Sequence, residues 1–216
     1  MKVNIHYDCD GVLRNFHSKA FEIFFRKYPK YKKYLLPVGQ FTGWGWDAQF
    51  KASKAVEIDE LLDEEIFGND ENAYEVFSEA KPFISPEEWR RHVDMVMKKF
   101  PDAILTISTH QYNNVAREAT SYWLGENQFT DDDKINVLYT GKKDSYGAHF
   151  LLDDKPTTIE QFHTPQKAIG VLRINSYSNA WYFKQLIKNN ENIRFPYAKT
   201  LDDYYKIICQ KVKDLI

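Results

Sequence analysis

Two carboxylates, Asp8 and Asp10, open a series of chemistry-bearing positions that continues with the hydroxyls of Ser108 and Thr109, the loop lysine Lys143 and the adjacent acids Asp153 and Asp154. Together these residue types fit phosphoryl transfer, which needs a nucleophile, a proton donor, a hard cation and fixed donors for the phosphate oxygens. Carboxylates within ~4–6 Å of one another raise each other's pKa and resist joint ionisation, so a cation is required among them. Magnesium takes oxygen ligands in octahedral geometry, usually one or two carboxylates plus waters and substrate phosphate, which matches Asp8, Asp153 and the backbone carbonyl of Asp10. With the site neutralised, Asp8 can approach an anionic phosphate and form an aspartyl-phosphate. Asp10, two residues on, is placed to protonate the leaving oxygen and later to activate water. Ser108, with Thr109 beside it, and Lys143 would bind the phosphoryl oxygens, the lysine as a point charge and the hydroxyl as a neutral donor.

Such convergence demands a fold that brings distant strand ends together. Val3, Ile5 and Tyr7 alternate with Asn4 and His6, which reads as a strand ending in the turn chemistry of Asp10-Gly11. AILTI ends at Ser108-Thr109, HFLL ends at Asp153-Asp154, and INVLY and AIGVLRI give two more strands. Helical stretches separate them: one begins at Ser85-Pro86-Glu87-Glu88, with Ser85 as cap and Pro86 at its first position, and buries Trp89, Val93, Val96, Met97 and Phe100 on one face. Another runs through VAREATSYWLGE, and a last one starts at Thr200 and Asp203 with the stripe Leu201, Tyr204, Tyr205, Ile208, Val212 and Leu215. Strands joined by helical crossovers imply a parallel sheet with helices on both faces, and such sheets bind ligands beyond the carboxyl ends of their strands.

From about residue 15 to 84 the texture changes to aromatics crowded among charges, FHSKAFEIFFRKYPKYKKYLL, then QFTGWGWDAQF, then the acidic helical VEIDELLDEEIF. This reads as a helical insertion. Its aromatics Phe41, Trp44 and Trp46 can stack on a base, with core packing as the alternative; Gly43 and Gly45 favour an exposed loop. G-W-G-W-D-A mimics a dinucleotide fingerprint, but no strand precedes it. The run RKYPKYKKY can be read as a nucleic-acid contact or as a solvated helix face, and the second reading is favoured.

The bulk numbers fit a small-molecule enzyme. The 216 residues carry 29 basic and 31 acidic side chains, a formal charge of -2, so no basic field argues for a nucleic-acid coat or a membrane surface. Cys9 and Cys209 show neither zinc spacing nor a disulfide framework and suit a reducing compartment. MKVNIHYDCDG lacks the apolar run of a signal peptide and no stretch is long enough to span a bilayer, so the expected location is cytoplasmic.

Taken in order, HYDCDGVL, AILTIS, Lys143 and FLLDDKP resemble the four motifs of the haloacid dehalogenase superfamily, and the stretch from 15 to 84 falls where that superfamily inserts a small cap. Within it, the chain is most similar to the 5'(3')-deoxyribonucleotidases: DGVL is followed by Phe16, a Ser/Thr pair follows the second strand, and a lysine lies ten positions before D-D-[RK]-P. The resemblance implies a Rossmann-like α/β three-layer sandwich with a central parallel sheet, a catalytic core of 1–14 and 85–216, and a helical cap of 15–84. It implies Asp8 as nucleophile, Asp10 as acid/base, Ser108 and Lys143 as phosphate ligands, and Asp153 as a magnesium ligand with Asp154 supporting; Thr109 joins the expected phosphate ligands, and Asp8 and Asp10 the expected metal ligands. Phe16, Phe41, Trp44, Trp46 and His110 are the expected substrate contacts. Ser108 stands where those nucleotidases more often have Thr, His110 replaces a usual proline, and the cap sequence is largely unlike theirs, which weakens the substrate assignment more than the chemistry. The expected activity is a 5'-nucleotidase acting on (deoxy)nucleoside monophosphates. The alternatives are a phosphatase for nucleic-acid ends or another small phosphoester, and a non-catalytic binding domain of the same fold.

Overall fold

The alternation at the start of the chain produces a strand, β1 (Asn4–Tyr7), whose Ile5 and Tyr7 side chains enter the main core together with the preceding Val3, while His6 is buried on the opposite side. The structure, a computed structural model, describes residues 2–37, 40–43, 45–164, 167–174, 179, 181–182 and 195–215. After β1 come the helices α1 (Phe16–Lys27), α2 (Ala55–Phe67) and α3 (Asp70–Glu79). The alternating part of the chain follows: α4 (Pro86–Lys99), β2 (Ile104–Thr109), α5 (Asn114–Glu126), β3 (Ile135–Tyr139), β4 (Phe150–Asp153), α6 (Pro156–Phe162), β5 (Ile169–Arg173), β6 (Tyr197–Ala198) and α7 (Leu201–Lys211).

The six strands form one parallel sheet in the order β3-β2-β1-β4-β5-β6. Period-two alternation divides its side chains between two layers. Ile5, Tyr7, Leu105, Ile107, Phe150, Leu152 and Val171 pack against Trp89, Val93 and Val96 of α4 and Leu201, Tyr204 and Ile208 of α7. Leu151 and Leu172 face the other way, onto Ile159 and Phe162 of α6. The expected α/β sandwich is therefore present, and its β2-β1-β4 centre places the ends of those three strands side by side.

Local signals set the helix starts as the sequence implies. Ser85 accepts from the Glu88 N–H ahead of Pro86, and Thr200 and Asp203 form a reciprocal capping box at α7. Each such cap contributes about 1 kcal/mol.

The helices α1 to α3 gather around a second apolar cluster that includes Phe16, Phe21, Phe24, Phe50, Ile58, Leu62 and Phe77, joined by Ala116 and Ala119 of α5. Where the chain enters and leaves this region, Asn15 N–H donates to Lys81 C=O (2.8 Å) and Phe83 N–H to Leu13 C=O (2.7 Å). The two crossing segments thereby lie against each other just beyond Asp10. The basic-aromatic run is absorbed into this packing: Tyr28 and Lys27 bind Glu65, Tyr31 binds Glu57, and Lys30 and Lys33 lie over the rings of Tyr31 and Tyr34.

Candidate active site

Asp8 continues β1 at the carboxyl edge of the sheet, anchored by its own N–H to Leu152 C=O at 2.8 Å. Its Oδ1 accepts from the Cys9 N–H (2.8 Å) and from Lys143 Nζ (2.8 Å), and the same ammonium reaches Asp153 Oδ2 at 2.6 Å. Asp153 Oδ1 accepts from the Lys155 N–H at 2.8 Å, which fixes that carboxylate on the turn after β4. Asp8, Asp153 and Asp154 are buried, and each offers an oxygen within 4.8 Å of the others. Gly11 makes this approach possible. Its φ is +80°, and a Cβ there would stand 2.0 Å from Asp154 Oδ2, so any side chain would displace the acid.

The electrostatics follow from crowding in a dry place. Burial pushes the Asp8 carboxyl well above its usual range; Lys143 opposes this, while Asp153, Asp154 and Asp10 add to it. Burial would lower Lys143, but Asp153 and Asp8 hold it above the ordinary lysine value, so it stays an ammonium. His6 behind the strand is lowered to about 4 by burial and by Lys143. Three buried carboxylates face one lysine, and hard oxygen donors in such excess suit a divalent cation.

Asp10 is held differently. Arg14 Nε donates to its Oδ1 at 2.7 Å and Arg14 Nη2 to its Oδ2 at 3.0 Å, while Gln111 Nε2 reaches Oδ2 at 3.1 Å. The Ser108-Thr109 pair is split. Thr109 lines the cavity above the carboxylates and accepts from Gln111 at 3.0 Å. Ser108 is fully buried, does not line the cavity, and its Oγ has no hydrogen-bond partner among the described residues. The strand register beyond Tyr7 and Ile107 places it beside Asp8.

The cavity has a volume of about 400 Å³, within the range of small-ligand sites. Asp8, Asp10, Lys143 and Asp153 form one wall with Thr109, His110 and Gly141. Phe16, His17, Trp46, Asp59, Asp63, Phe67, Phe77 and Tyr112 form the other. Trp46 is fixed by its Nε1–H to Asp63 Oδ1 (3.1 Å) and by edge contact with His17 at 5.1 Å between ring centroids. His110 is exposed and lies against Tyr112. Phe41 is buried and does not line the cavity, and Trp44 lies outside the described residues.

Residues 1–186 match the family described as 5' nucleotidase, deoxy (pyrimidine), cytosolic type C protein. The chain belongs to that family. Two solved structures share the fold of this type C 5'-nucleotidase family member. One is a haloacid dehalogenase-like hydrolase of Burkholderia xenovorans LB400, with a TM-score of 0.53, 9% identity and 98% of each chain covered. The other is a haloacid dehalogenase-like family hydrolase of Xanthomonas campestris, with a TM-score of 0.50, 9% identity and coverage of 98% of this chain and 97% of that one. No curated protein sequence matches the chain. The protein is thus 5'-nucleotidase-like, on a fold shared with haloacid dehalogenase-like hydrolases.

Several residues at the site of this 5'-nucleotidase relative carry no motif. Arg14, Gln111, His17, Asp59, Asp63, Phe67, Phe77 and Tyr112 come from the turn after β1, the start of α1, α2, α3 and the β2–α5 loop. Asp59 and Asp63 did offer a signal: they stand four apart on one helix, a spacing that puts both on one face. Burial, then the nearby Asp63 and Asp47, raise the Asp59 carboxyl, against the lowering effect of the Asp47 N–H bond. Burial lowers His17 to about 4 despite Asp10, leaving a neutral ring against the cavity.

Proposed function

We propose that the protein is a magnesium-dependent phosphomonoesterase, a 5'-nucleotidase that releases phosphate from (deoxy)nucleoside monophosphates through an aspartyl-phosphate at Asp8. The observation that carries this reading is the juxtaposition of Asp8, Asp153 and Asp154 within 4.8 Å, with Lys143 between Asp8 and Asp153 and these last three lining a cavity that also presents the rings of Phe16, Trp46, Phe67, Phe77 and Tyr112. Oxygens of Asp8, Asp153 and Asp154, with the backbone carbonyl of Asp10, would hold the cation, which when bound supplies neutralising charge between nucleophile and phosphate. Asp8 attacks phosphorus, the bond to the leaving oxygen breaks, and Asp10 gives that oxygen its proton. Water then attacks phosphorus, Asp10 takes the water's proton, and the bond to Asp8 breaks to release phosphate. Lys143 and Thr109 hold phosphoryl oxygens, and Ser108, buried beside Asp8 with its hydroxyl unspent, is the remaining donor.

We assign 1–14 and 85–216 to the catalytic core and 15–84 to a cap that covers the site. The aromatic wall from that region supports a planar base as the group bound away from the phosphate, and a covered cavity disfavours polymer ends. Among the described residues no helix is long and apolar enough to cross a membrane. The family's description as cytosolic supports a cytoplasmic location. The test is a panel of nucleoside monophosphates, sugar phosphates and phosphorylated oligonucleotides, with magnesium or chelator, on wild type and Asp8→Asn. The expected result is turnover of the nucleotides alone, abolished by chelator and by Asp8→Asn. Equal rates for the two proteins remove Asp8 from the chemistry, and preference for oligonucleotides overturns the substrate assignment.

A further inference from the structure

Arg14 is 0% exposed, although burying a guanidinium is unfavourable unless its donors are met. Here they are met. Nε and Nη2 form a fork on the two oxygens of Asp10, Nη1 donates to Phe77 C=O at 2.6 Å, and Nη1 and Nη2 each reach Thr120 Oγ1 at 3.2 Å. The guanidinium carbon lies 4.9 Å from the Phe77 ring centroid and 5.1 Å from that of Trp123. Three elements therefore hold one cation: the turn after β1, α3 and α5. Its charge is directed at a single carboxylate, Asp10.

We propose that Arg14 is a positioning residue for Asp10, fixing the orientation in which that carboxyl group meets the leaving oxygen and tying it to the seat of α3 against α5. The proposal rests on the reading of Asp10 as acid/base. A carboxylate offers roughly four acceptor positions. Oδ2 accepts two hydrogen bonds, from Arg14 and Gln111, and Oδ1 accepts one, from Arg14. Oδ1 is the oxygen left with room for a further partner, so it is the atom that exchanges a proton with the leaving group and then with water. Arg14 itself does not line the cavity.

The experiment compares two esters that differ in their need for a proton. A nucleoside 5'-monophosphate expels an alkoxide, which must be protonated, whereas para-nitrophenyl phosphate expels a stable phenolate. General acid catalysis contributes about 10²–10⁴-fold where a proton is required. Lysine keeps the charge of Arg14 but cannot form the fork. With magnesium present, Arg14→Lys is expected to lower kcat/KM about 10- to 100-fold for the nucleotide, part of the general-acid contribution, and about threefold or less for the nitrophenyl ester. Thr120→Val, which alters only the far side of the guanidinium and keeps the side-chain shape, is expected to shift the same ratio in the same direction by less. Asp10→Asn serves as the reference, with the largest split between the two esters. A proportional loss for both esters in Arg14→Lys and Thr120→Val, alongside a lower melting temperature, shows a purely structural arginine and overturns the proposal. If Asp10→Asn itself shows no split, the acid/base assignment falls instead.

Discussion

Replacing Lys143 by methionine removes the ammonium that lies 2.8 Å from Asp8 and 2.6 Å from Asp153, and keeps most of the side-chain volume. In the absence of metal, those two carboxylates then share a buried site with Asp154 and no cation. Breaking a buried ion pair by deleting one partner costs about 3–5 kcal/mol. At about 2–4 °C per kcal/mol for a chain of this size, the melting temperature in chelator should fall by about 6–20 °C. The loss should depend on pH. Burial and the neighbouring acids already raise the Asp8 carboxyl, and removing its opposing lysine raises it further, so Asp8 takes up a proton as the pH falls. The destabilisation is therefore greatest at neutral pH and shrinks in mild acid. Magnesium should restore much of the stability at neutral pH by supplying the missing charge, without restoring turnover, if Lys143 is the phosphate ligand proposed above. Thermal melts in chelator and in magnesium, at both pH values, decide the matter. A variant as stable as wild type in chelator at neutral pH would refute the view that Lys143 neutralises these acids.

Other substitutions test other parts of the same geometry. Gly11→Ala should weaken magnesium binding and activity together, since its Cβ falls 2.0 Å from Asp154 Oδ2 and the left-handed backbone adds ~1–2 kcal/mol of strain; isothermal titration with magnesium reads the effect directly. Trp46→Ala should raise KM for a nucleoside monophosphate about 5- to 150-fold, the equivalent of a stacking contact of roughly 1–3 kcal/mol, and leave KM for a sugar phosphate little changed. Burial lowers His92 to about 3 and His17 to about 4 from an ordinary value of 6.5. Their contribution to stability is present above about pH 6.5 and is lost as the pH falls toward those values, by about 1.4 kcal/mol for each group at one unit below 6.5. Urea titrations across that range should show the decline, and His92→Gln should flatten it.

Strand ends were readable because apolar runs break abruptly into acids or hydroxyls. Asp8 lies far in sequence from Lys143 and Asp153, yet β1 and β4 pair directly and bring all three to the carboxyl edge of the sheet. The helix starts were readable for a similar reason, since a cap is a local signal carried by neighbours such as Thr200 and Asp203. The aromatic wall was less legible. Composition marks the 15–84 stretch as aromatic-rich, but which rings face the cavity depends on how α1, α2 and α3 pack: Phe16 and Trp46 line it, Phe41 does not, and Phe67, Phe77 and Tyr112 were not anticipated. Arg14 escaped notice because its four-residue separation from Asp10 is not a helical pair. The turn at Gly11, where Arg14 N–H returns to Cys9 C=O at 2.9 Å, carries its side chain back to the acid. Ser108 and Thr109 could not be told apart from sequence, as two adjacent hydroxyls at the end of a strand point to different sides of the sheet.

The most direct measurement traps the covalent step. Wild type, mixed with magnesium and a nucleoside monophosphate labelled in its phosphate, is quenched in acid within one turnover and digested, and the label is sought by peptide. The expected result is an acid-stable, hydroxylamine-labile phosphoryl group on the peptide that contains Asp8, absent in Asp8→Asn. Continued turnover with no label on that peptide would contradict Asp8 as the nucleophile.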